Sequence, residues 1–213
     1  MATTQNFLLL TLLPLVLFSC GNEENPDTTW QLAKEKFELS WQSDSADKVL
    51  KYRTEIATIA PKSEYGLYSK SWLKARKGEK ALALKIADSL VMGFPTFDKG
   101  LYLRANLKNE LNDPDGALKD FDRCLKKNPT FFEAYMNRGS LYFKTDHPEL
   151  ALRDFEKAIA LKPMDKMVLL NLGKAKIALG KSLEACKFWE MADSLGAEEA
   201  AILLANFCST GKP

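Results

Sequence analysis

The sequence predicts an all-α array of antiparallel helix pairs closed by a capping helix. Pro61, Pro95, Pro129 and Pro163 are evenly spaced, and Pro114 and Pro148 form a second pair with the same interval. A fixed period between about 20 and 50 residues marks a stacked repeat. Between the prolines, apolar and small residues recur every three or four positions, the period of a helix with one buried face. The 213 residues are 46% hydrophobic, the fraction of a folded chain rather than a disordered one.

Residues 1–19 read as a signal peptide. The twelve apolar-rich residues 7–18 are too few to span a bilayer, which takes about 20, but suit a signal-peptide core. Leu17-Phe18-Ser19-Cys20 resembles the lipobox of bacterial lipoproteins, in which the cysteine becomes the lipidated N-terminus. That resemblance implies lipid attachment at Cys20. With Gly21 next, rather than the aspartate of inner-membrane retention, it implies a cell-envelope lipoprotein of the outer membrane on its periplasmic or surface face. Glu23 and Glu24 fit a surface-export signal of the kind found in Bacteroidota lipoproteins. Residues 20–29, polar and interrupted by Pro26, read as a flexible tether.

The clearest unit precedes Pro163. Tyr135, Gly139 and Tyr142 share one helical face, a turn follows at Asp146-His147-Pro148, and Ala151, Phe155 and Ala158 share the next face. Pro148 suits the first position of a helix, where its missing N–H is no loss. These residues resemble the signature of the tetratricopeptide repeat, which implies a right-handed superhelical solenoid. Residues 98–199 form three such units. The first offers Leu101, Ala105, Ala117, Phe121, Cys124 and Pro129, with Lys108 replacing the second aromatic. The last offers Leu169, Gly173, Ala185, Trp189 and Ala192 without a closing proline. Residues 30–97 read as two degenerate helix pairs. Tyr65, Ser69, Trp72 and Ala81 match only with the frame shifted by two residues. Residues 200–213 contain a capping helix and a tail, the helix beginning near Glu198.

Comparing units adds a charge pattern. Arg104 and Arg138 share a slot on the first helix, Asp120 and Asp154 share one on the second, and both slots turn apolar together at Leu172 and Phe188. Joint loss predicts Arg104–Asp120 and Arg138–Asp154 pairs.

Chemistry is sparse. A single histidine, His147, sits in a turn before a proline, and no phosphate loop or metal-ligand cluster is present. We therefore expect no catalytic residue, no metal, no cofactor and no enzyme. Net charge of +2 without a basic block gives no reason to expect nucleic acid. Cys124 occupies a slot filled by Ala158 and Ala192, a small core position. Cys186 and Cys208 flank the Leu195-Gly196 turn on helices expected to run antiparallel. They are candidates for a disulfide in an exported chain, with two unpaired core thiols as the alternative. The segment from residue 185 to Cys208 looks like the terminal repeat of many Bacteroidota tetratricopeptide proteins, which favours the bridge.

In the resembled family the first helices line a concave groove. Carried over position by position, the groove comprises Lys99, Tyr102, Asn106 and Asn109, then Glu133, Met136, Ser140 and Phe143. The last unit adds Met167, Leu170, Lys174 and Ile177. Apolar members suit side-chain contact and the asparagines suit a peptide backbone. Of the basic set with which some family members grip a peptide carboxylate, only Lys99 and Lys174 are suitably placed. The resemblance implies a membrane-anchored scaffold or adaptor holding a protein or peptide partner. An outer-membrane assembly or pilotin-like accessory lipoprotein, and a glycan or small-ligand receptor, are the alternatives.

Overall fold

The computed structural model describes residues 26–208; the expected signal peptide, Cys20 and the residues after Cys208 lie outside that range. The described residues form eleven α-helices and no strand. Five pairs are α1 (Pro26–Gln42) with α2 (Ala46–Ile59), α3 (Glu64–Arg76) with α4 (Lys80–Gly93), α5 (Asp98–Glu110) with α6 (Pro114–Lys127), α7 (Phe132–Lys144) with α8 (Pro148–Leu161), and α9 (Lys166–Ala178) with α10 (Ser182–Ser194). The capping helix α11 (Glu198–Phe207) packs on α10. Each helix otherwise packs mainly on its sequence neighbours, so the chain is a solenoid of consecutive pairs.

The period is stricter than the signature residues imply. The second helices begin at Ala46, Lys80, Pro114, Pro148 and Ser182, the same interval separating each from the last. The two-residue frame shift expected for residues 62–95 is therefore absent. Ser71, not Ser69, occupies the small slot equivalent to Gly139, and its hydroxyl donates to the Ala83 carbonyl at 2.8 Å. A buried serine satisfied by the facing backbone passes for glycine sterically but leaves no glycine to find.

The local causes recur with the same period. Ala60, Phe94, Asn128 and Lys162, each preceding a proline, cap α2, α4, α6 and α8 with φ between −131° and −133° and an N–H bonded four residues back. Proline disfavours helical geometry in the residue before it, which stops the helix there. Gly78, Asn112, Asp146 and Gly180 turn the chain between the helices of four pairs with φ of 82°, 61°, 63° and 72°. Ser45, Ser63, Asp113 and Asp165 accept from backbone N–H groups at the starts of α2, α3, α6 and α9.

Packing in the last two pairs sets a glycine on the first helix against a large ring on the second. A Cβ added to Gly139 would lie 2.8 Å from Phe155, and one added to Gly173 would overlap the Trp189 indole. The expected charge pairs also form. Arg104 donates through Nε and Nη2 to Asp120 at 2.8 and 2.6 Å, and Arg138 does the same to Asp154 at 2.8 and 2.7 Å. Each arginine also reaches back to the preceding second helix, to Asp88 at 3.1 Å and Asp122 at 2.6 Å. Asp88 and Asp122 are themselves one repeat period apart, a signal the sequence reading passed over.

The two pairs differ in strength of support. Burial would raise the Asp120 carboxyl, but hydrogen bonds from Arg104 and Lys108 outweigh it and hold the group below the usual carboxylate range. Lys108, standing where Tyr142 stands in the next unit, reaches Asp120 at 2.7 Å. Asp154 relies on Arg138 for its hydrogen bonds, and burial holds its carboxyl above the usual range.

Cys186 and Cys208 are bonded, with Cα atoms 5.9 Å apart, and the bridge pins the end of α11 to α10. Cys124 is a buried free thiol, pushed up to about 12 by burial. No helix among the described residues is long and apolar enough to cross a membrane.

Candidate functional site

The first helices α1, α3, α5 and α7, with part of α2, surround one groove of about 740 Å³. Four of the expected groove residues border it: Tyr102, Asn106 and Asn109 on α5 and Ser140 on α7. Asn137 joins them, donating through Nδ2 to the Asn106 side-chain oxygen at 2.8 Å and to the Tyr102 hydroxyl at 3.0 Å. That network fixes the Asn106 and Asn137 carboxamides at the groove wall.

The opposite wall was missed by sequence reasoning. Trp41 of α1, Tyr68 and Trp72 of α3, and Arg53 of α2 line the groove there. Their helices carry few signature residues, so no groove slot could be assigned on them from the resemblance alone. Arg53 is only 3% exposed. Its guanidinium carbon lies 4.3 Å from the Phe37 ring centroid and 4.5 Å from that of Tyr68. Burial lowers the guanidinium from its ordinary value, opposed by Tyr68 and Glu38. Arginine stays protonated in proteins regardless.

The remaining expected residues are elsewhere. Lys99 is taken up by Glu38, 2.9 Å from both carboxylate oxygens, and lies over the Phe37 and Trp41 rings at 5.1 and 5.3 Å. Glu133 faces Lys162 at 3.4 Å, and Met136 packs against the core of α8 and α9. Phe143 and Met167 are 39% and 51% exposed but do not border the groove. Leu170, expected to face a ligand, is only 2% exposed and belongs to the last core cluster, against which Ile177 also packs. Lys174 is bound to Glu199 of the capping helix at 2.8 Å. Leu170 and Ile177 pack into the cluster shared by α9, α10 and α11, and Lys174 is held by α11, so none of the three borders the groove. Both lysines of the incomplete carboxylate-gripping set are thus already paired with acids of this chain.

His147 is exposed at the start of α8, its Nδ1 3.2 Å from the Thr145 hydroxyl. Among the described residues no three acids, histidines or cysteines gather as a metal site.

The described residues thus form a solenoid of helix pairs with an open groove along four of its first helices. Residues 99–130 and residues 132–165 each match a tetratricopeptide repeat family model. These two stretches are tetratricopeptide repeats, which support a protein–protein interaction scaffold. A search of curated proteins found no match. Among solved structures, a crystal structure of MamA superposes with a TM-score of 0.61 at 18% identity, covering 83% of this chain and 96% of that one. TTC0263, a thermophilic TPR protein in Thermus thermophilus, gives 0.60 at 16% identity over 86% of this chain and 99% of its own. A tetratricopeptide repeat protein from Parabacteroides merdae gives 0.59 at 20% identity, over 81% of this chain and 68% of that one. At these identities the likeness concerns the fold.

Proposed function

We propose that this protein is a non-enzymatic adaptor, tethered to a membrane of the bacterial cell envelope through lipid on Cys20, whose groove holds an extended segment of a protein partner. The observation that carries the binding half is the groove itself, open along α1, α3, α5 and α7, with fixed asparagine carboxamides on one wall and aromatic rings on the other. Carboxamides offer a donor and an acceptor to peptide groups, and aromatic walls offer apolar contact. The lipobox-like Leu17-Phe18-Ser19-Cys20 supports the tether. The Cys186–Cys208 bridge supports an oxidising compartment outside the cytosol.

The test is in-cell crosslinking of the tagged full chain followed by mass spectrometry. Trp72→Ala, Asn106→Ala and Asn109→Ala combined should lose the partner that the wild type captures. Equal capture by both would sink the groove reading. Mass spectrometry of the N-terminal peptide should find Cys20 acylated, and an unmodified Cys20 in membrane-extracted protein would sink the tether.

The alternative of a glycan receptor gains one observation, the cluster of Trp41, Tyr68, Trp72 and Tyr102 along the groove. Retention of oligosaccharides on a glycan array, lost in Trp72→Ala, is the outcome that would favour it.

A further inference from the structure

Within the strict repeat period, Arg53 occupies an unusual slot. The equivalent positions on the later second helices are Ala87, Phe121, Phe155 and Trp189. Three of those hold the large ring that fills the space over a small residue, at Ala105, Gly139 and Gly173 respectively. In the first pair the small slot is Phe37 and the ring slot is Arg53. A cation therefore stands where the rest of the array puts core hydrocarbon.

That cation lacks the support its cousins have. Arg104 and Arg138 are each bonded to two aspartates. The Arg53 Nε and Nη1 are buried with no hydrogen-bond partner, and the Trp41 indole N–H, also bordering the groove, is likewise unpartnered. The carboxylate that acts on Arg53, Glu38, is engaged by Lys99. At the groove's far rim Glu110 is matched by Lys80 at 3.0 Å. Once these pairs are set against each other, the uncompensated charges bordering the groove are Arg53 and Arg76, both positive. Donors without acceptors, and positive charge without counter-charge, ask for an anionic acceptor from outside. The guanidinium fork, set between Phe37 and Tyr68, suits a planar carboxylate.

We propose that Arg53, with the Trp41 indole beside it, is a carboxylate-recognition site at the floor of the groove, and that the segment held there is a peptide bearing one carboxylate, from its C-terminus or from an Asp or Glu side chain. This rests on the groove reading above and adds the chemistry of the partner. Arg53 is contributed by the second helix of its pair and replaces a core ring, so the site is separate from Lys99 and Lys174, whose charges are internally spent.

The test measures fluorescence-anisotropy affinities of the full chain in detergent for three labelled peptide pools randomised over Ala, Leu, Ser, Thr and Tyr. One pool has a free C-terminal carboxylate, one is amidated with a single internal Glu, and one is amidated and uncharged. At least one acidic pool should bind about tenfold tighter than the uncharged pool, and which one identifies the source of the carboxylate. Arg53→Met should remove that preference while keeping the affinity for the uncharged pool and the helical circular dichroism. Arg53→Lys, which keeps charge and stem but not the fork, is the second variant and should also weaken the preference. Equal binding of all three pools by the wild type would overturn the Arg53 site and leave the groove reading standing. A preference that survives Arg53→Met and Arg53→Lys would overturn it too. Failure of every pool, or binding of a neutral oligosaccharide alone, would overturn both.

Discussion

The Arg138 guanidinium lies against the Asp154 carboxylate in a two-pronged pair, Nε to Oδ2 at 2.8 Å and Nη2 to Oδ1 at 2.7 Å, while its remaining nitrogen reaches Asp122. The last repeat fills the corresponding slots with Leu172 and Phe188. The fold therefore accepts a charged pair, an apolar pair, or a lone lysine as at Lys70 opposite Ile86, but no unit keeps the aspartate without its arginine. Arg138→Leu alone strands a buried carboxylate and should cost about 3 kcal/mol or more. Adding Asp154→Phe should recover most of that loss. Urea denaturation of the two variants checks it, and a double variant less stable than the single one would sink the idea.

Acid should act differently on the two aspartates. Asp120 has its folded-state value lowered by Arg104 and Lys108, so its stabilising contribution is present above the unfolded-state value and is lost as pH falls through the folded one. The stability gap between wild type and Asp120→Asn should thus shrink as pH drops below about 4. Asp154 has its folded-state value raised by burial, so its contribution is present at low pH and is lost as pH rises through that value. The gap for Asp154→Asn should widen over the same fall in pH. Melting temperatures across a pH series distinguish these opposite slopes.

The glycines under the large rings are fixed by space. Gly139→Ala places a methyl 2.8 Å from Phe155, a contact that cannot be held without moving the ring. The overpacking should cost about 1–3 kcal/mol. Gly180→Ala meets no atom, and its cost comes from its left-handed φ of 72° alone. Thermal unfolding should rank Gly139→Ala as the more damaging if the crossing distance governs.

The Cys186–Cys208 bridge closes a loop across a sequence separation of 22 residues. Loop-closure entropy puts its contribution at about 3 kcal/mol. Cys186→Ser with Cys208→Ser should lower stability by that order and expose α11 to limited proteolysis before the rest of the array. Unchanged cleavage of α11 would show that Leu203, Leu204 and the Lys174–Glu199 pair hold the cap without it.

The prolines made the helix pairs legible because proline stops a helix by sterics, whatever the neighbours are. The regularity of the front half was hidden because its steric roles are played by other residues. Ser71 satisfies its hydroxyl on Ala83, and in the first pair a ring, Phe37, fills the small slot while Arg53 takes the ring slot. One local signal was available: Gly78, Asn112, Asp146 and Gly180, types that tolerate left-handed geometry, recur at the interval of the prolines. On α5 the repeat positions point to Tyr102, Asn106 and Asn109, which border the groove, but on α7 only Ser140 of the four named does, and Asn137 was not among them. The last unit's groove face was not readable, since Leu170 and Ile177 join the core cluster that α9 shares with α10 and the cap Glu198–Phe207. Arg53 was invisible until the register of α2 was fixed.

The aspartate-to-arginine contacts also link each pair of helices to the one before it. Arg104 joins α4 to α6, and Arg138 joins α6 to α8, like struts bolted across successive joints. Their arginine has no counterpart to reach α10, because Leu172 stands in its slot. Among the described residues no such strut crosses between α8 and α10, where Leu172 and Phe188 meet instead, while the cystine ties α10 to α11.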